Sequence, residues 1–157
     1  YRSALIVVGD GAFRNELEHL LNGYPVLFTG FLSGDELSTI YASSDVFVFP
    51  STTDTFGNVV LEAQSSGLPV IVSDEGGPKE LMVDGKTGLV IKAHSKTALV
   101  DALTFFLRDK NNRAFMGSNA RNFAETNGIT AYEAYHTILN THAKIEERCT
   151  TEDFVQV

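Results

Sequence analysis

Two carboxylates, Asp54 and Glu62, have the spacing in this sequence that most directly suggests chemistry. We predict that Asp54 lies on a loop and that Glu62 lies about one turn into the helix that follows. Between them, Phe56-Gly57 lets the backbone turn closely into that helix. A helix that begins in this way presents free backbone N–H groups and a positive dipole, which suit a phosphate. Carboxylates beside a phosphate suit hydroxyl groups, so the stretch predicts a site for a nucleotide sugar.

A strand, a loop, a helix and a second strand position these residues. The apolar run at residues 46–49 stops at Pro50 and is typical of a buried strand in a parallel sheet. A helix is predicted from Asn58 until Gly67 and Pro69 end it, and residues 70–72 form the next strand. Because open α/β sheets bind ligands at the carboxyl ends of their strands, we expect both carboxylates at that edge.

The remaining elements alternate in the same way along the chain. Three further strands are predicted, at residues 4–8, 26–29 and 89–91. Helices are predicted at residues 12–21, 33–41, 78–81, 95–106 and 112–125, with a Ser33-x-x-Glu36 capping box, Ser95 as an N-cap and a final helix from Thr130. Strands alternating with helices predict an α/β fold, namely a doubly wound parallel sheet, Rossmann-like, in three α/β/α layers. We predict one domain at residues 1–149 and a tail at residues 150–157.

Composition and charge argue against several classes of function. The formal net charge of -8 disfavours nucleic acid as a partner. The sequence has no apolar run long enough to span a membrane and no signal peptide, so we expect a cytoplasmic protein without a direct membrane span. Cys149 is the single cysteine, which leaves no disulfide framework and no cysteine-based metal site. The four histidines do not pair with a nucleophile turn, so hydrolase chemistry has no support; they are His19, His94, His136 and His142.

The first strand leads into Gly9-Asp10-Gly11, which invites comparison with the dinucleotide-binding pattern. That pattern needs a third glycine where this sequence has Arg14, so we do not assign a dinucleotide site. Two interpretations of Asp10 and Arg14 remain open, a tight turn into a helix and proximity to a ligand.

The stretch around Asp54 closely resembles the signature of the family 4 (group 1) retaining glycosyltransferases, whose two Rossmann-like domains form the GT-B architecture. The family pattern is E-G-F-G-x-x-x-x-E-A-x-x-x-G-x-P-V, then a strand and a Gly-Gly turn. This sequence has D-T-F-G-N-V-V-L-E-A-Q-S-S-G-L-P-V, then Gly76-Gly77. It departs from the pattern at Asp54, Thr55 and Gln64. The resemblance extends over residues 4–142 and implies the C-terminal, donor-binding half of a GT-B glycosyltransferase.

The resemblance implies a role for each residue of the signature. Glu62 would bind the ribose hydroxyls, and Asp54 would be the catalytic residue that holds hydroxyls of the transferred sugar. The backbone amides of four residues would contact the sugar and the phosphate, namely Phe56, Gly57, Asn58 and Val59. Backbone around Phe31 would meet the nucleotide base.

The same resemblance implies the reaction and its partners. The donor would be a UDP-, GDP- or ADP-sugar, with no metal or other cofactor, and a retaining transfer would pass the sugar to an acceptor. An N-terminal domain of the same protein would bind that acceptor, so we expect this chain to be an inactive fragment on its own. By the same resemblance, the donor-binding domain of the whole protein would begin with an earlier strand and helix that carry a basic clamp for the diphosphate.

Several alternatives stay open beside these roles. Glu62 fits a surface helix position that pairs with nearby charges, and Asp54 fits a loop carboxylate that makes a local turn hydrogen bond. Phe31 fits core packing, Lys79 fits either a phosphate contact or a solvated lysine, and Glu80 is taken as structural. Two other functions also remain, a nucleotide-sugar-binding module without catalysis and one half of a nucleotide-sugar 2-epimerase.

Overall fold

The computed structural model of the protein describes residues 3–128. All five predicted strands form, each with bounds within one residue of the prediction. They are β1 (Leu5–Val8), β2 (Val26–Gly30), β3 (Phe47–Phe49), β4 (Val70–Ser73) and β5 (Gly88–Ile91). The helix predicted from Thr130, the tail and Cys149 lie outside the described residues.

The helices also follow the predicted order. They are α1 (Arg14–Leu20), α2 (Gly34–Ser43), α3 (Asn58–Ser65), α4 (Lys96–Arg108) and α5 (Lys110–Phe123), with a 3₁₀ turn at Pro78–Leu81 and a π-helical turn at Ala124–Gly128. Ser95 caps α4 as predicted, because its Oγ accepts a hydrogen bond from the Ala98 N–H at 3.2 Å. The capping box at Ser33 was predicted wrongly, since the Ser33 side chain makes no capping hydrogen bond. Gly34 begins α2 with φ 56°, and this left-handed start turns the first N–H groups away from the usual cap geometry.

Within residues 3–128, the named strands all pair in parallel, and the pairings join them into two sheets. One sheet has the order β3-β4-β5, and the other pairs β1 with β2. The central strand β4 is buried along its whole length because it has a partner strand on each side. This buried position explains its continuous apolar sequence from Val70 to Val72.

Helices cover both faces of the three-stranded sheet. Val70 and Val72 point to a core that α2 and α3 close with Tyr41 and Val60. Ile71 points to the opposite face, where α4 and α5 close a second core around Phe106 and Met116. The alternation of β4 side chains between these cores is the period of two expected of a strand. The Rossmann-like, doubly wound α/β/α prediction is therefore confirmed for this part of the chain.

The unit formed by β1, α1 and β2 is much less buried. Helix α1 has no buried residue, and Phe13 before it and Leu20 at its end are 72% and 68% exposed. A two-stranded sheet offers too little surface to cover a helix. The apolar residues of β1 also remain partly open, with Leu5 47% exposed.

Within residues 3–128, no helix has the length and apolar content needed to cross a membrane.

Candidate functional site

An open pocket of about 640 Å³ lies at the carboxyl ends of β3 and β4. The loop after β3 forms one wall, with residues 52–56. The loop and 3₁₀ turn after β4 form the other wall, with Gly76, Gly77, Glu80 and Leu81. The pocket therefore lies at the edge of the sheet where the sequence places the ligand, and it contains Asp54 and Phe56.

The two walls are held together through backbone contacts. The Gly77 N–H donates to the Asp54 carbonyl oxygen at 3.0 Å. Gly57 has φ 80° and ψ 42° where α3 begins, and a Cβ at that position would lie 2.9 Å from Cγ of Pro78. The left-handed φ and the close approach to Pro78 both need glycine at position 57. A Cβ at Gly76 would lie 2.9 Å from the Asp54 carbonyl oxygen, and one at Gly77 would overlap the Thr55 carbonyl oxygen, so these glycines of the motif let the two walls approach closely.

The Asp54 side chain shapes the loop on which it lies. Its Oδ1 accepts a hydrogen bond from the Phe56 N–H at 2.9 Å, and its own N–H donates to the Ser51 Oγ at 3.2 Å. The local turn hydrogen bond considered for Asp54 is thus present. The other carboxylate oxygen, Oδ2, accepts no hydrogen bond from residues 3–128 and is available to a ligand.

The start of α3 offers unpaired backbone donors beside this loop. Within the part of the chain that the structure describes, the N–H groups of Gly57, Asn58 and Val59 have no hydrogen-bond partner. The next amide, that of Val60, donates back to the Gly57 carbonyl oxygen at 2.8 Å. Three consecutive free donors at the positive end of a helix dipole form a site suited to an anion.

Glu62 lies one turn further along α3 and does not line the pocket. Its side chain is exposed, and its Oε2 accepts a hydrogen bond from the Tyr41 hydroxyl at 3.1 Å. Burial, and next the charge of the Glu62 carboxylate, raise the pKa of the Tyr41 phenol well above its usual value. The phenol is therefore a hydrogen-bond donor throughout the neutral pH range.

Phe31 follows β2, is 81% exposed and does not line the pocket. Core packing, one of the alternatives considered for its side chain, is therefore wrong. Asp10 follows β1 and Arg14 begins α1. The Arg14 guanidinium forms ion pairs with the carboxylates of Asp10 at 3.5 Å and Glu18 at 2.8 Å.

Two residues of the site were not identified from the sequence. Glu80 lines the pocket, is exposed, and its carboxylate has no hydrogen-bond or ion-pair partner within residues 3–128. Its position three residues after Gly77, in the turn that follows β4, was the available signal. Tyr41 was predicted only as the last residue of the helix at residues 33–41, and nothing in its spacing indicates the contact with Glu62.

Lys79 and Gln64 support the pocket walls from outside. The Lys79 Nζ donates to the Asp74 carbonyl oxygen at 2.6 Å, so it does not point to a phosphate in this structure. Gln64 is fully buried in α3, and its Nε2 donates to the Leu81 carbonyl oxygen at 2.7 Å. That bond links α3 to the 3₁₀ turn that forms one wall of the pocket.

The site therefore combines two chemistries. Asp54 and Glu80 bring carboxylate oxygens to one pocket, where they can accept hydrogen bonds from ligand hydroxyls. The free amides at the start of α3 can hold a phosphate without a basic side chain.

Comparison with known proteins gives a consistent result. The sequence profile described as "Glycosyl transferases group 1" matches residues 2–123. The chain is 45% identical over 121 residues to "Sulfoquinovosyl transferase SQD2" of Arabidopsis thaliana, which covers 75% of this chain and 24% of that protein. It is 41% identical over 107 residues to a "GDP-mannose-dependent alpha-mannosyltransferase" of Mycolicibacterium smegmatis, covering 68% of this chain and 28% of that protein.

A solved structure has the same fold. The Anabaena protein Alr3699/HepE, crystallised in complex with UDP and glucose, superposes with a TM-score of 0.76 at 25% identity. The superposition covers 88% of this chain and 40% of that one. This chain spans about a quarter of the length of the two curated relatives named above.

Proposed function

This chain belongs to the group 1 glycosyltransferases, as a partial C-terminal-type domain of their GT-B architecture, and on that premise we propose that it binds the donor in a hexosyl transfer reaction. The donor is a nucleoside-diphosphate sugar. The observation that carries this proposal is the free amides of Gly57, Asn58 and Val59 beside a pocket that contains Asp54 and Glu80. The Anabaena structure with UDP and glucose supports the same class of ligand.

Each part of the donor has a complementary group in this arrangement. The diphosphate lies against the three free amides, where the α3 dipole stabilises its negative charge. The transferred sugar occupies the pocket, and Asp54 accepts hydrogen bonds from its hydroxyls. Glu62, one turn further along α3, accepts from the ribose hydroxyls, which leaves the base toward Phe31.

We propose a retaining transfer in which the acceptor hydroxyl oxygen bonds to the anomeric carbon on the face from which the diphosphate leaves. The bond between that carbon and the diphosphate oxygen breaks in the same step, and the hydroxyl proton passes to the departing phosphate oxygen. As the bond breaks, negative charge develops on the departing phosphate oxygen. The amides at the start of α3 are fixed by the Gly57 turn and therefore stabilise this charge without reorganising. The helix dipole performs the task that a metal ion performs in other transferases, so the proposal includes no metal.

The proposal extends to the rest of the protein. An N-terminal domain of the same polypeptide supplies the acceptor, and the domain predicted at residues 1–149, with a tail at 150–157, does not transfer sugar alone. The exposed apolar residues of the β1–α1–β2 unit are consistent with contact to further parts of the protein. A cytoplasmic location agrees with a single cysteine in 157 residues.

A ligand screen tests the proposal. Thermal shift and calorimetry are measured with UDP, GDP, ADP and their sugars, on the chain and on the full-length protein. A nucleotide at about ten times its Kd should raise the free energy of unfolding by roughly 1.4 kcal/mol and the Tm by about 3–5 °C.

Variants of two glutamates provide the control. Glu62→Ala should remove the shift at this nucleotide concentration, whereas Glu36→Ala, at an exposed position in the first turn of α2, should preserve it. If neither the chain nor the full-length protein binds any of these nucleotides, the proposed donor site is wrong. Binding without transfer by the full-length protein supports the binding module instead.

A further inference from the structure

The contact between Tyr41 and Glu62 joins a fixed side chain to an exposed one. Tyr41 is only 8% exposed, and its ring packs edge-on against Phe47 of β3 with centroids 5.7 Å apart. The phenol oxygen is therefore held in place by the core between α2 and the sheet. Glu62 is exposed, and its carboxylate has no other hydrogen-bond partner within residues 3–128.

A single fixed donor restricts an otherwise flexible glutamate. A free glutamate side chain samples many rotamers and loses that freedom when it binds a ligand. The hydrogen bond from the Tyr41 hydroxyl to Oε2 at 3.1 Å holds the carboxylate before any ligand arrives. Oε1 then remains available, together with the second lone pair of Oε2, to accept from two neighbouring hydroxyls.

The Tyr41 hydroxyl remains protonated, and therefore a hydrogen-bond donor, near neutral pH. Because the phenol is buried next to a carboxylate, it stays protonated well above its usual titration range. A phenol of this kind can only donate to Glu62, so the direction of the hydrogen bond is fixed.

We propose that Tyr41 is a positioning residue that preorganises Glu62 to bind a vicinal diol, the ribose of the donor. This inference rests on the proposed function, because it assigns Glu62 to the ribose. This preorganisation leads to a specific expectation for ligand binding. Loss of the Tyr41 hydroxyl must weaken ligands that carry both ribose hydroxyls and must leave ligands without them unaffected.

Tyr41→Phe removes the hydroxyl and keeps the buried ring, so the core is retained. The matched control is Tyr24→Phe, because Tyr24 is 68% exposed and its hydroxyl has no hydrogen-bond partner within residues 3–128. Calorimetry on the full-length protein compares the nucleoside diphosphate that binds the wild type with its 2′,3′-dideoxy form. The Tm of each variant is measured alongside, to show that it folds.

Tyr41→Phe should raise the Kd of the ribonucleotide by about fivefold to tenfold and change that of the 2′,3′-dideoxy form by less than twofold. Tyr24→Phe should change neither. In a Glu62→Ala background, Tyr41→Phe should have no further effect on the Kd, since the hydroxyl acts through Glu62.

The outcomes separate this inference from the proposal on which it rests. If the wild type binds no nucleotide, the proposed function falls and the inference with it. If the wild type binds but Tyr41→Phe leaves the Kd unchanged, or weakens both ligands equally, the inference alone is overturned. Additive effects of Tyr41→Phe and Glu62→Ala would overturn it as well.

Discussion

Substitution of Gly77 by alanine tests how closely the two walls of the pocket are packed. An added Cβ would overlap the Thr55 carbonyl oxygen and lie 2.6 Å from the Thr55 carbonyl carbon. The backbone dihedrals of Gly77, φ -77° and ψ -30°, are ordinary for alanine, so the cost is steric rather than conformational. Ordinary contact begins near 3.4 Å, so the carbonyl carbon alone requires the walls to separate by about 0.8 Å, and the nearer carbonyl oxygen requires more.

That separation has a cost in stability and in binding. Overpacking of a close-packed site costs about 1–3 kcal/mol, and backbone on both sides places Gly77→Ala at the upper end. For a chain of this size, roughly 3 kcal/mol lowers the Tm by about 6–12 °C. The hydrogen bond from the Gly77 N–H to Asp54 is displaced at the same time. The Kd of the bound nucleotide should therefore rise at least tenfold.

The matched control is Gly11→Ala. A Cβ at Gly11 meets nothing within 4 Å, so this variant should keep the wild-type Tm and Kd. Differential scanning calorimetry gives the Tm, and isothermal titration calorimetry gives the Kd. If Gly77→Ala matched Gly11→Ala in both measurements, the reasoning from close approach of the two loops would be refuted.

Three further predictions concern single interactions. Ser95→Ala removes the cap that holds the Ala98 N–H and should lower the free energy of unfolding by about 1 kcal/mol in urea titrations, with no change in nucleotide Kd; an altered Kd would contradict this. Asp54→Asn keeps an oxygen for the Phe56 N–H, so the Tm should change little while transfer by the full-length protein falls at least tenfold, and a large drop in Tm would show that the charge itself holds the loop. Because the pKa of Tyr41 is raised in the folded state, its contribution to stability is fully present below about pH 10 and is lost as the pH rises further. The unfolding free energy of the wild type should therefore fall more steeply above about pH 10 than that of Tyr41→Phe. Parallel curves of unfolding free energy against pH would refute the raised pKa.

Much of the fold follows from local patterns. The five strands are predicted to within one residue because each is a short apolar run bounded by turn residues. Sheet pairing is a different matter, since it depends on contacts between residues distant in sequence. The alternating pattern predicts parallel strands, and it does not reveal that β1 and β2 pair apart from β3, β4 and β5.

The candidate site is predictable to a similar extent. The motif predicts Asp54, the Gly57 turn and Glu62, because their types and spacing follow the loop and helix. Contacts between different helices, strands and loops cannot be predicted from the spacing of residues in the sequence. The Tyr41 hydroxyl reaches Glu62 over 21 positions of sequence, and Glu80 reaches the pocket only because the turn after β4 packs on the loop after β3.

The most direct test of the donor site is to map the bound nucleotide onto backbone amides by NMR. The chain is labelled with ¹⁵N and titrated with the nucleotide that gives the largest thermal shift. We expect the amide signals of Gly57, Asn58 and Val59 to shift together with those of Gly76 and Gly77. Saturable shifts confined to other parts of the chain, with these five amides unmoved, would contradict the proposed donor site.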